Sequence, residues 1–238
     1  MTDVPQADLF SNDALLLIAH GSARYPDAGR TAHLHAETIR AQGHFASVGV
    51  GFLNGAPSAA EALAALAPRF VHVVPFFMED GYFTRIAVPK ALAGTAPSGL
   101  RIYPPVGLHP GLSRLIEARA AAGTSLILIG HGSARAPGRP MALHGHAERL
   151  RAGGRFTDVA VAFLEEAPFA ADVLARAEGS IISVAGVFAG DGMHVRDDLP
   201  ALIAAARARL GARLHDLGSI GDDPGMAGLV LDQVRNPA

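Results

Sequence analysis

The chain has 238 residues, half of them hydrophobic and 18% charged, with mean hydropathy +0.26 and formal net charge −2. That length suits one large α/β domain or two compact ones, and the composition excludes a disordered chain; a near-neutral balance also removes the phosphate attraction of a general nucleic-acid binder. The absence of cysteine excludes disulfides and thiolate metal sites, so any metal must be held by nitrogen and oxygen, for which eleven histidines are at hand.

From the N-terminus, a polar, acidic stretch gives way to the apolar run ALLLIAHGSAR, residues 14–24. No apolar run approaches the roughly 20 residues of a membrane helix, so the expectation is a cytoplasmic protein without a membrane or nucleic-acid partner. The same run returns as SLILIGHGSAR over residues 125–135, placing His20 and His131 111 residues apart. At that offset Glu37 and Arg40 fall on Glu148 and Arg151, Phe52-Leu53 on Phe163-Leu164, Ala56-Pro57 on Ala167-Pro168, Gly81 on Gly192, and Pro89 on Pro200. The chain reads as one unit written twice, with domains at 1–120 and 121–238.

In chain order, short apolar runs predict strands near residues 15–19, 48–53, 71–77 and 100–103, then 126–129, 159–164, 181–188 and 213–215. Apolar residues at helical spacing lie between them, as in Leu143, Ala147 and Leu150, then Ala170, Val173, Leu174 and Ala177, then Leu202, Ile203, Ala206 and Leu210. This alternation implies an α/β fold, each copy being a small doubly wound, flavodoxin-like parallel sheet with strand order 2-1-3-4.

Ligands of such sheets sit beyond the carboxyl ends of the strands, where strand order reverses. In the second copy His131 follows the first strand, Glu165 the second, and His194 lies in the loop after the third. Two imidazoles and a carboxylate brought to one rim suit an open site for a divalent first-row metal such as cobalt, iron, nickel or zinc. Any one of these histidines alone is more often a hydrogen-bonding loop residue; their joint placement favours the site. The first copy keeps His20 but has Asn54 in place of Glu165 and Phe83 in place of His194. A site complete in one copy and lost from the other points to a task that one site performs. Ser133 is placed to orient an imidazole, and Arg24, Arg30, Arg135, Arg139 and Arg196 flank the site as candidates to grip an anionic substrate. Tyr82 and Phe83 sit at the rim of the first copy, where they suit a flat ring. His33 and His35, like His144 and His146, read as residues of a solvated helix face.

The segments IGHGSAR, VAVAFLEEAP and GDGMHVRDDLP, in this order and at this spacing, resemble those of sirohydrochlorin chelatases of the CbiX type over nearly the whole chain. The likeness is to the long form, with two chelatase-like domains in tandem. It implies that His131 and His194 bind the metal, with Glu165 assisting, and that a divalent ion is inserted without ATP into sirohydrochlorin, a carboxylate-rich tetrapyrrole. The metal is then a substrate, Co2+ favoured and Fe2+ or Ni2+ next, with no organic cofactor, in cobalamin or sirohaem synthesis. His20, with the aromatic rim of the first copy, would close the site from the other side, so that the halves act as a pseudo-dimer within a monomer. Ligation and proton acceptance both need neutral imidazole, so activity is expected to fall below about pH 6.5. A non-catalytic tetrapyrrole or metal carrier on the same fold is the alternative. A histidine phosphatase is disfavoured, because Ala19 and Gly130, not arginines, precede the two histidines.

Overall fold

The computed structural model describes residues 10–22, 29–66, 69–94, 99–134, 138, 141–190, 192 and 194–237, with the backbone alone at 194, 195 and 212. They form two compact units, one of residues 1–106 and 224–238, the other of residues 107–223.

In the first unit, β1 (Ala14–Ala19), β2 (Ser47–Phe52), β3 (Phe70–Pro75) and β4 (Gly99–Ile102) make a four-stranded sheet in the order β2-β1-β3-β4, every pairing parallel. All six residues of β1 are buried, without alternation, because both faces of a central parallel strand are covered. One face packs Leu16, Ile18, Val71 and Val73 against Leu63 of α2 (Ala59–Leu66) and against Val88 and Leu92 of α3 (Val88–Leu92). The opposite side carries α1 (Arg30–Ala41) and, from the far end of the sequence, α8 (Gly225–Arg235), which packs on α1.

The second unit repeats this plan. Its strands β5 (Ser125–Gly130), β6 (Asp158–Phe163), β7 (Ile182–Gly186) and β8 (Leu214–Ser219) pair in parallel in the order β6-β5-β7-β8. Ile127, Ile129 and Val184 pack against Leu174 of α6 (Ala170–Arg176) and against Leu199 and Ile203 of α7 (Leu199–Leu210). α5 (Met141–Ala152) lies with α4 (Gly111–Arg119), whose Leu112 and Ile116 are fully buried. Both sheets therefore have the doubly wound order that the alternation of apolar runs implied. At the 111-residue offset, β5, β6 and α5 coincide with β1, β2 and α1 residue for residue.

Particulars differ from the sequence reading, beginning with β3 and β7, which end at Pro75 and Gly186 and not at the expected residues 77 and 188. Domain limits of 1–120 and 121–238 follow the repeat, whereas the compact units exchange its closing helices, α4 counting with the second sheet and α8 with the first. β8 runs to Ser219, past the expected end at His215, because the register shift between Val184 and Gly186 lets Ser219 pair with Gly186. And the helical histidines are not a solvated face: His33 is exposed, but His35 and His146 are buried. Residues two apart on a helix point in different directions, so one of each pair turns inward. His146 donates from Nε2 to the Gly107 carbonyl at 2.6 Å and accepts the Ser113 hydroxyl at Nδ1 at 2.8 Å.

Candidate functional site

Both copies build the same turn where the first strand ends. In the second unit β5 gives way to His131, and Gly132 adopts a φ of +75°, a conformation that disfavours any side chain. The backbone N–H of Leu164 donates to Gly130, and that of Glu165 to the His131 carbonyl at 3.0 Å, so the segment after β6 is zipped to the segment after β5. In the first unit Leu53 donates to Ala19, Asn54 donates to His20 at 2.8 Å, and Gly21 has a φ of +68°.

This zipper sets the side chains. His131 and Glu165 are both half-exposed, with Nδ1 3.8 Å from Oε2. That gap is too long for a hydrogen bond. Nδ1 also lies 3.1 Å from the Gly132 carbonyl; when it donates there, Nε2 carries the ring's lone pair, the state in which imidazole ligates a cation or takes a proton. His194 opens the π-helical turn His194–Asp198 after β7, at the same edge of the sheet; its side chain lies outside the described part. Among the described residues no three His, Asp or Glu side chains form a group able to hold a metal ion.

The first copy shows what the third position can reach. Phe83 opens the π-helical turn Phe83–Ala87, the counterpart of the turn at His194, and its ring stands edge-on to His20 with centroids 4.6 Å apart. Asn54, the counterpart of Glu165, donates from Nδ2 to His20 Nε2 at 3.4 Å. The side chains at positions 20, 54 and 83 thus converge, although only the histidine is a metal ligand by type. Tyr82 and Phe83 are exposed, at 66% and 42%, and Ile86 beside them at 54%, which leaves an apolar rim around His20.

The arginines divide. Arg196 is exposed on the turn that begins at His194. Its counterpart Arg85 is committed to Asp80 through Nε at 2.8 Å and a guanidinium nitrogen at 2.7 Å, an ion pair that holds Asp80 below the usual carboxylate range. Arg24, Arg135 and Arg139 lie outside the described residues. Ser133, half-buried, contributes its backbone N–H to the side chain of Glu166 at 3.0 Å. Glu166 itself was not singled out in the sequence; the one signal for it was FLEE in the second copy against FLNG in the first.

The CbiX family model matches residues 14–122 and again 125–236. The chain belongs to the CbiX family. This CbiX-family chain is 30% identical, over 79% of its length and 75% of the relative's, to a probable sirohydrochlorin cobaltochelatase of Halobacterium salinarum. Among solved structures it resembles CbiX described as the terminal enzyme of sirohaem biosynthesis in denitrifying bacteria, at 27% identity and TM-score 0.70, covering 94% of this chain and 99% of that one. It also resembles a multi-domain Deinococcus radiodurans protein with structural similarity to chelatases and two additional domains, at 26% identity and TM-score 0.79. There the match covers 92% of this chain but spans only 54% of that protein. Among the described residues no helix is long and apolar enough to cross a membrane.

Proposed function

We propose that this CbiX-family protein is a sirohydrochlorin chelatase, a lyase-type enzyme that inserts a divalent metal into the tetrapyrrole without ATP. The observation that carries the reading is the pairing of His131 with Glu165, 3.8 Å apart at the carboxyl edge of a doubly wound sheet, in a chain 30% identical to a named cobaltochelatase. Metal insertion requires that the ion lose solvent and that two pyrrole N–H protons leave. His131 and His194 hold the incoming ion, and Glu165 accepts a proton or neutralises the imidazolium that forms when His131 accepts one. Both groups are half-exposed, so a ring can approach them. Co2+ is the favoured metal, following the Halobacterium relative, and Fe2+ the next, because a sirohaem role is attached to another family member; an imidazole and carboxylate set accepts either. The exposed arginine Arg196 suits the substrate's carboxylates. In the first unit the exposed Tyr82 and Phe83 beside His20 offer an apolar face to a flat macrocycle, without metal chemistry.

The test is turnover. Protein at low concentration is mixed with sirohydrochlorin and Co2+ or Fe2+, and insertion is followed by the absorption change. The reading requires product in many-fold excess over protein, and a loss of at least about 100-fold in His131→Ala and in His194→Ala, with a smaller loss in His20→Ala. Capture of one equivalent without turnover would instead make the protein a carrier. Equal, mild effects in all three variants would remove the site from the second copy.

A further inference from the structure

Glu165 has a neighbour that faces the other way. The Glu166 side chain is buried, 5% exposed, and each of its oxygens accepts a backbone N–H: Oε1 from Ser133 at 3.0 Å and Oε2 from Gly138 at 2.6 Å. A side chain at Gly132 would not fit beside it, since a Cβ there would meet Glu166 Cγ at 2.9 Å. Consecutive residues therefore pin both sides of Gly132, Glu165 through its N–H to the His131 carbonyl and Glu166 through its carboxylate to the Ser133 N–H.

The internal repeat separates a structural from a functional role. The first unit makes the same turn, with the same two backbone hydrogen bonds and a glycine at the same positive φ, yet position 55, the counterpart of Glu166, is glycine. The turn forms without the carboxylate. The brace is absent from the copy that lacks the acid and the second histidine, and present in the copy that has them.

We infer that Glu166 is a positioning residue: its carboxylate ties Ser133 to Gly138 and so holds the His131 imidazole beside Glu165, with Nε2 left to take a metal ion. This deepens the chelatase reading and rests on it. A buried carboxylate that accepts charge-assisted hydrogen bonds from two separated amides costs desolvation, which the shared turn does not require. Gln can replace one of the two acceptors and Ala neither.

The experiment compares the full chain with Glu166→Gln and Glu166→Ala. Co2+ is titrated without tetrapyrrole by visible absorption, amide hydrogen exchange is read at Ser133 and Gly138 with Leu128 of β5 as reference, and KM for Co2+ and for sirohydrochlorin is measured separately. The expected result is faster exchange at Ser133 and Gly138 alone, and Co2+ affinity weakened about 10- to 100-fold in the order wild type, Gln, Ala. KM for Co2+ rises with it while KM for sirohydrochlorin holds. Wild-type Co2+ affinity in Glu166→Ala overturns the inference, as does a loss that tracks global unfolding with no local change in exchange. A wild type that binds Co2+ but never inserts it fails the chelatase reading and leaves the brace standing on the binding and exchange measurements; one that binds no Co2+ ends both.

Discussion

Replacement of Gly132 by alanine tests whether the turn beneath His131 is as tightly determined as it looks. Two costs combine. At φ +75° an L-residue pays about 1–2 kcal/mol for the left-handed conformation. The new Cβ would lie 2.9 Å from Phe163 Cβ and 2.9 Å from Glu166 Cγ. Phe163 Cβ is fixed by β6, so relief must come from the backbone, at a cost of about 1–3 kcal/mol. Gly154 in the same unit is the control, with φ +65° and nothing within 4 Å of its Cβ position, so Gly154→Ala pays the conformational cost alone. The two variants should differ by about 1–3 kcal/mol, which for an m value of roughly 2 kcal/mol/M puts the urea midpoint of Gly132→Ala about 0.5–1.5 M below that of Gly154→Ala. Far-UV circular dichroism in urea reads both. Equal midpoints would show that the turn relaxes at no cost and would refute the packing argument.

Other consequences follow from the same geometry. Burial, reinforced by Arg149 and His109 and opposed by the Gly107 hydrogen bond, pushes the His146 imidazole below the ordinary histidine value. Below about pH 6.5 the unfolded chain therefore binds a proton that the folded one resists, so the contribution of His146 is full above that pH and is lost as pH falls through the folded value. Unfolding midpoints measured from pH 7.5 to 5 should fall less steeply in His146→Gln than in wild type, even though the variant starts lower; parallel slopes would contradict this. In the first unit, where Asn54 and Phe83 already meet His20, the double variant Asn54→Glu, Phe83→His should raise Co2+ bound per chain from one to two by equilibrium dialysis. An unchanged stoichiometry would mean that the ligand types alone do not make a site. Glu165→Gln, which keeps shape but removes charge, should lower metal insertion at least about 10-fold with little change in thermal stability, since the side chain is half-exposed; a full-rate variant would relieve Glu165 of its role.

Much of this protein was legible without coordinates, for a physical reason that particular elements make plain. Periodicity and repetition are local properties of the chain: the unbroken apolar runs that became β1 and β5 and the 111-residue echo of HGSAR are enough to imply parallel strands, crossovers and a carboxyl edge bearing His131, Glu165 and His194. Orientation and exchange are not local. That His35 and His146 turn inward, that Glu166 folds back to bind Ser133 and Gly138, and that α4 and α8 join the sheet of the other repeat all depend on neighbours distant along the chain. In sequence, Glu166 differs from its counterpart only as FLEE in the second copy against FLNG in the first. Only tertiary packing distinguished Glu165, half-exposed beside an imidazole, from Glu166, buried against two amides, because which way a side chain points is decided by the elements on either side of it.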